Sequence, residues 1–468
     1  MDTADGGTAV GSSLTPGAGG AGSAAEKEDA SPSVAAGVPA GAPVAGIGPV
    51  RRSRVDGTAL EAFRHRDFTL FWTAALISNS GTFMQAVAVP KVLFDLTDSS
   101  TWLGFASIAQ MGPSVLITPY AGVLADRISR RTILLVTQSV QMIVAFAFWG
   151  LHLSDGLTPW RMIGLLLIAG IAGGFQVSVW QSFVPTLVPR RNLPDAVRLN
   201  SVQFTAARAI GPVGGAVALA LFGVGFAFLI NAVSYVVVLA ALAVVRPVQQ
   251  LVRDGSSRVL AELAEGFRYV ATRTGLRQVV LTALFASALG QSLMQLGAAV
   301  AADVYDHPTD DNAILVGAMG IGACLMAVLV IGWSRRMRAS VQAMWALVGY
   351  IVAVALLAAT TTFGIGVLAY ALLGAAQMPL STTMNTYVQT SVPDVIRGRV
   401  MSFYVLALMT GLPLGALFIG RLGDVLGMRE ALGVNAVALV LLVAVVALRY
   451  GRLRVMDVED PMEDEASA

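Results

Sequence analysis

Redox and metal chemistry find almost nothing to work with in this sequence. It has one cysteine, Cys324, and three histidines in 468 residues. A single cysteine can neither close an intrachain disulfide nor build a thiolate metal site, and Cys324 lies in an apolar run, where it reads as a small hydrophobe. Charge is equally scarce. Asp, Glu, Lys and Arg make up 13% of the chain, about half the share usual for a soluble domain. No Asp or Glu falls near the middle of any long apolar run. An intramembrane enzyme would lack its acid pair, metal cluster or nucleophile, so we expect no enzyme, no cofactor and no metal. The net charge of +2 is scattered in short clusters. A basic patch for nucleic acid is therefore not expected.

What the chain does have is apolar surface: 56% of its residues are hydrophobic and its mean hydropathy is +0.71. A globule with so few charges can hide that surface only by using lipid as its solvent. Crossing the hydrocarbon core takes about 20 apolar residues per helix, and twelve stretches qualify: 68–93, 101–123, 131–153, 160–183, 197–221, 225–245, 277–302, 312–333, 341–360, 364–388, 398–420 and 428–448. The fold class expected is an all-α membrane protein of twelve transmembrane helices. Arginines gather before span one and after every even span, for example Arg64, Arg66, Arg190, Arg191, Arg335, Arg336 and Arg338. The loop after span seven carries Asp303, Asp306, Asp310 and Asp311 instead. The positive-inside bias then places the even loops and both termini in the cytoplasm.

Residues 1–57, rich in Gly, Ala and Ser, are expected to form a disordered cytoplasmic tail, and 451–468 an acidic one. Between 58–245 and 277–450 lies a linker, 246–276, in which Leu260, Leu263, Phe267 and Val270 repeat with helical period, as in an amphipathic helix on the inner membrane surface. The flanking segments resemble each other. Arg198-x-x-Ser201 returns as Arg399-x-x-Ser402, Pro212-x-Gly214 as Pro413-x-Gly415, and Asn231-Ala-Val233 as Asn435-Ala-Val437, in the same order. Two parallel six-helix repeats of this kind enclose a central cavity at their interface.

The loop after span two reads Gly122-Val-Leu-Ala-Asp126-Arg127-Ile-Ser129-Arg130-Arg131. On these residues the chain resembles the major facilitator superfamily over about 60–450, with Ser129 where that family usually has Gly. The resemblance implies a conformational latch of Gly122, Asp126, Arg127, Arg130 and Arg131; a purely topogenic basic loop is the plainer reading. Span five holds Gly211-Pro212-Val-Gly214-Gly215, which looks like the Gly-Pro-x-x-Gly-Gly motif of exporters in this superfamily and implies a tight seal between the halves. An ordinary small-residue packing face is the alternative. The stretches from Val188 to Pro212 and from Val392 to Ser402 look like the enterobactin-exporter and macrolide-efflux branch, whose members expel siderophores or drugs.

Arg208 is the one charge deep inside a span. Such an arginine is a functional candidate by default, with structural pairing as its alternative. Polar side chains follow helical stripes that suit a cavity wall: Gln85 on span one, Gln176 and Gln181 on span four, Gln203 on span five, Gln291 and Gln295 on span seven, Gln377 and Asn385 on span ten. Interhelical hydrogen bonding would explain them equally well. Phe83 and Trp180 are the aromatics expected nearby. The function these features suggest is proton-driven export of a small amphipathic molecule, such as an antibiotic or siderophore, by a monomer in a bacterial-type inner membrane. An importer or uniporter would share the fold. The proton carrier is the least visible part, with Asp303 and Asp126 as candidates ahead of Asp95 and His152.

Overall fold

The computed structural model describes residues 61–246, 259–333, 337–449 and 451–457. The expected tail 1–57, the end of the acidic tail and linker residues 247–258 lie outside the described residues. Every regular element among them is a helix. Eleven of the twelve expected stretches coincide with one long helix each, and the seventh begins with the shorter α8: α1 (Arg66–Thr97), α2 (Ser100–Arg127), α3 (Arg130–Leu153), α4 (Pro159–Phe183), α5 (Leu193–Phe222), α6 (Val224–Val244), α8 (Thr274–Leu289), α10 (Asn312–Trp333), α11 (Ala339–Ala359), α12 (Phe363–Thr390), α13 (Asp394–Leu426) and α14 (Met428–Arg449). The linker contributes α7 (Val259–Thr272), and α9 (Gly297–Ala299) continues α8.

Nine of these helices are long and apolar enough on their own to cross a bilayer, and the bent α8–α9 segment makes ten. The two exceptions, α1 and α2, have 32 and 28 residues and so reach far enough. They carry Asn79, Gln85, Lys91 and Gln110, because part of their surface faces polar partners inside the protein. Outward faces are apolar, as at Leu325, Leu368 and Leu448, the last 86% exposed. Apolar side chains left this bare need lipid around them.

One expected span is broken. Instead of a continuous helix over 277–302, α8 stops at Leu289, a tight turn follows at Gln291–Met294, and the chain resumes through α9 and a π-helical turn, Val300–Val304. The axis bends by 55°. The bend brings Gly290 against the Tyr350 ring, 2.7 Å from where a β-carbon would sit, and Gly297 against Asn312, which any β-carbon there would strike.

α1 packs on α5 and α6, and α3 on α4 and α6; in the other half α8 packs on α13 and α14, and α12 on α10 and α11. The sequence repeat is also a structural one. Gly211 and Gly215 of α5 lie on α1, while Gly411 and Gly415 of α13 lie on the backbone of α8. Asn231 Nδ2 donates to Gln85 Oε1 of α1 at 2.7 Å, and Asn435 Nδ2 donates to the Leu289 carbonyl of α8 at 2.8 Å. The halves meet where α2 runs along α13 and α5 along α10.

At the end bearing the α1–α2 connection, polar bonds tie the halves together. The Asp424 carboxylate of α13 accepts from Ser99 Oγ and from the backbone N–H groups of Ser100 (2.7 Å) and Thr101 (3.2 Å), which open α2. Lys91 bridges Asp95 at 2.6 Å and Asp310 of the other half at 3.3 Å. Asn312 Nδ2 donates to the Val87 carbonyl at 3.0 Å. A β-carbon on Gly104 or Gly420 would strike the facing helix backbone, so the α2–α13 approach there is as close as two helices allow.

Candidate substrate cavity

Two cavities flank the α8–α9 break. The first, a small cavity of about 30 Å³, lies in the first half among α1, α2, α3, α4 and α6, with Gln295 closing it from the other half. Its wall is a chain of neutral hydrogen bonds. From Asn231, which donates to Gln85, the chain passes through Thr82 to Tyr235, whose hydroxyls are 3.1 Å apart. Tyr235 donates to Gln141 Oε1 at 3.1 Å, and Gln141 Nε2 to Gln176 Oε1 at 2.7 Å.

The second cavity, about 60 Å³, lies between the halves and is lined by Arg208 and Pro212 of α5, Gln291, Cys324 of α10, and Gln377 and Ser381 of α12. Arg208 stands near the middle of the 30-residue α5. Its side chain is exposed in the wall of this cavity, near Tyr350 of the other half. That combination marks a group projecting into an internal void. No carboxylate pairs with it among the described residues, so the structural-pairing alternative has no partner to name.

Of the nine predicted cavity residues, Gln85 and Gln295 line the first cavity, and Arg208, Gln291 and Gln377 the second. The other four stand outside both. Gln176 ends the hydrogen-bond chain, and Gln181 is exposed near the end of α4. Gln203 is buried beside Asn79, and Asn385 accepts from Gln389 one turn away. Trp180 packs on Phe71 and donates to Asn200 Oδ1 at 3.3 Å, away from either void. Ser107, Gln110, Gln141 and Tyr235 were missed. Tyr235 follows Asn231 by one turn, a stripe legible in the sequence; isolated Gln110 gives no such signal.

The glycine motif does something other than expected. It has one residue fewer between Pro212 and Gly214 than the motif it resembles, and its glycines fit α5 onto α1 of the same half, Gly211 over Phe83 and Gly214 over Met84. Contact with the other half comes from Val213, 3.7 Å from the β-carbon position of Gly317 on α10. In the latch loop, Gly122, Asp126 and Arg127 close α2, but their side chains lie outside the described residues. Arg130 opens α3. Arg131 donates from Nε to the Leu242 carbonyl at 2.7 Å and from Nη2 to Ala243, a cation on the carbonyl end of α6. Asp303 is exposed in the turn after α9, with Asp98 and Asp424 as like-charged neighbours, and lines neither cavity.

A family model described as transmembrane secretion effector, within the major facilitator superfamily, matches residues 57–466. The chain belongs to this family. It is 25% identical over 406 residues to the enterobactin exporter EntS of Salmonella choleraesuis, covering 86% of this chain and 96% of that one. It is 23% identical over 372 residues to the staphyloferrin A transporter of Staphylococcus aureus, covering 79% and 92%. The crystal structure of the nucleoside transporter NupG superposes with a TM-score of 0.67 at 14% identity, covering 82% of this chain and 99% of that one. The protein is thus a multi-pass membrane transporter with the two-bundle major facilitator fold.

Proposed function

We propose that this transporter is a secondary active exporter, a proton antiporter of a small amphipathic organic molecule such as a siderophore or antibiotic, in a bacterial inner membrane. The observation that carries the reading is Arg208: a cation with no carboxylate partner among the described residues, projecting into the void between the halves. It suits an anionic or hydrogen-bond-accepting substrate. The names of the curated relatives support export and this substrate range.

The basic even loops orient the tied α1–α2 end outward, with both termini in the cytoplasm. The described state is then closed outside, and alternating access requires the bonds on Asp424, Lys91 and Asn312 to break as the cavity opens outward. Asp424 and Asp126 make a pair of opposed latches. The Asp424 carboxylate sits near the C-terminal end of α13, where the dipole disfavours it, and faces the N-terminal end of its antiparallel neighbour α2, while Asp126 belongs to the last turn of α2. Either Asp303 or the substrate itself carries the proton.

Inverted membrane vesicles energised with a pH gradient test this reading, with a panel of siderophores and antibiotics on the outside. Accumulation that collapses with an uncoupler is expected. Uptake driven in the opposite sense would establish an importer, and flux indifferent to the pH gradient would remove the antiport.

A further inference from the structure

We infer that the cavity of the first half is a separate subsite for an uncharged hydroxyl- or amide-bearing part of the substrate; the inference rests on the transport reading above. Among the described residues, no charged side chain lines this cavity. An ion entering it would lose its hydration with no counter-charge to replace it, which disfavours either sign. The wall nevertheless offers many hydrogen-bonding groups. Some are already engaged, as in the chain from Gln85 through Asn231 and Tyr235 to Gln141. Others are not. Ser107, 2% exposed, has a hydroxyl with no partner, and the amides of Gln110 and Gln295 make no side-chain hydrogen bond among the described residues although both face the cavity.

Leaving such groups unpaired is costly, and a ligand that pairs them recovers the loss. An amide both donates and accepts, and so does a hydroxyl. The matching ligand group must do both as well, which describes an alcohol or an amide and excludes a carboxylate or an ammonium. Leu103, Val144 and Leu166 supply the apolar flank. Gln291 of the Arg208 cavity and Gln295 of this one lie one turn apart on the broken segment. One molecule can therefore present its neutral part here and an acidic part to Arg208.

The test uses the full-length protein in lipid nanodiscs, with chloramphenicol as a neutral amide diol, nalidixate as an anion and ethidium as a cation. Replacing Ser107→Ala and Gln110→Leu together is expected to raise the chloramphenicol Kd roughly tenfold or more, the worth of about two hydrogen bonds. The nalidixate Kd should stay within twofold, and Arg208→Ala should show the opposite pattern. Gln110→Glu supplies a gain that no packing defect imitates: ethidium binding should appear. Chloramphenicol failing to bind at millimolar concentration, or binding with affinity that ignores Ser107 and Gln110, overturns the subsite. So does a uniform loss for all three probes, or no gain of ethidium binding in Gln110→Glu. Binding is read without transport. Chloramphenicol bound but not moved in inverted vesicles would refute export and leave the subsite standing.

Discussion

An arginine halfway along a transmembrane helix has to be held by something, and around Arg208 the described residues provide Tyr350 and neutral amides in place of a carboxylate. If substrate supplies the missing partner, Arg208→Ala should raise KM for an acidic substrate about tenfold to a hundredfold, the worth of a charge-assisted hydrogen bond, and Arg208→Lys should restore part of it. Unchanged KM in vesicle transport would count against the role. Cys324 is a second check at this scale. The sequence presents it as a buried hydrophobe, whereas the fold sets it half-buried in the wall of the Arg208 cavity. N-ethylmaleimide is therefore expected to inactivate transport, substrate to slow the inactivation, and Cys324→Ser to abolish it. Inactivation of the Cys324→Ser protein would place the reactive group elsewhere.

At the scale of elements, the helix pair α2 and α13 is where stability and conformational change meet. Gly420 and Gly104 permit backbone contact near the outer end, and Asp424 satisfies two backbone N–H groups of α2 that a helix start otherwise leaves to water. Replacing Asp424→Ala removes these bonds and a dipole-matched charge, together about 1–2 kcal/mol, and should shift the population toward the outward-open form. In a Cys324→Ser background, a cysteine at Val89 is expected to label several-fold faster with an impermeant maleimide from outside. An unaltered rate would mean that Asp424 is not a latch. At the α5–α1 contact, Gly211→Val must push into Phe83 and the Ser80 carbonyl. Its cost falls within a single half, so it should lower thermal stability by roughly 1–3 kcal/mol. If instead it left stability intact and made the membrane leaky, the glycines would be sealing the halves after all.

For the whole molecule, the two bundles and the position of every long helix were legible in the sequence. Lipid imposes a length and an apolarity on each span, and both are local properties of the chain. The repeat also survived: Asn231 and Asn435 each bond the first long helix of their half, and α5 and α13 each set glycines against it. Half-legible was the site: five of nine predicted side chains reach a cavity, and Ser107, Gln110, Gln141 and Tyr235 were passed over. A polar stripe shows that one helix face avoids lipid. It does not show whether that face meets another amide, as Gln176 does, or an open void, as Gln377 does.

By itself, then, the sequence determined the solvent of this protein, the placement of its long helices and its duplication, since hydropathy, charge bias and repeated motifs act over one helix at a time. Only the tertiary structure decided that span seven breaks between Gly290 and Gly297, that the glycine motif of α5 seats α1, and that Asp424 joins α13 to α2. Each of these depends on which helix lies opposite, and that partner comes from packing residues far apart in the chain.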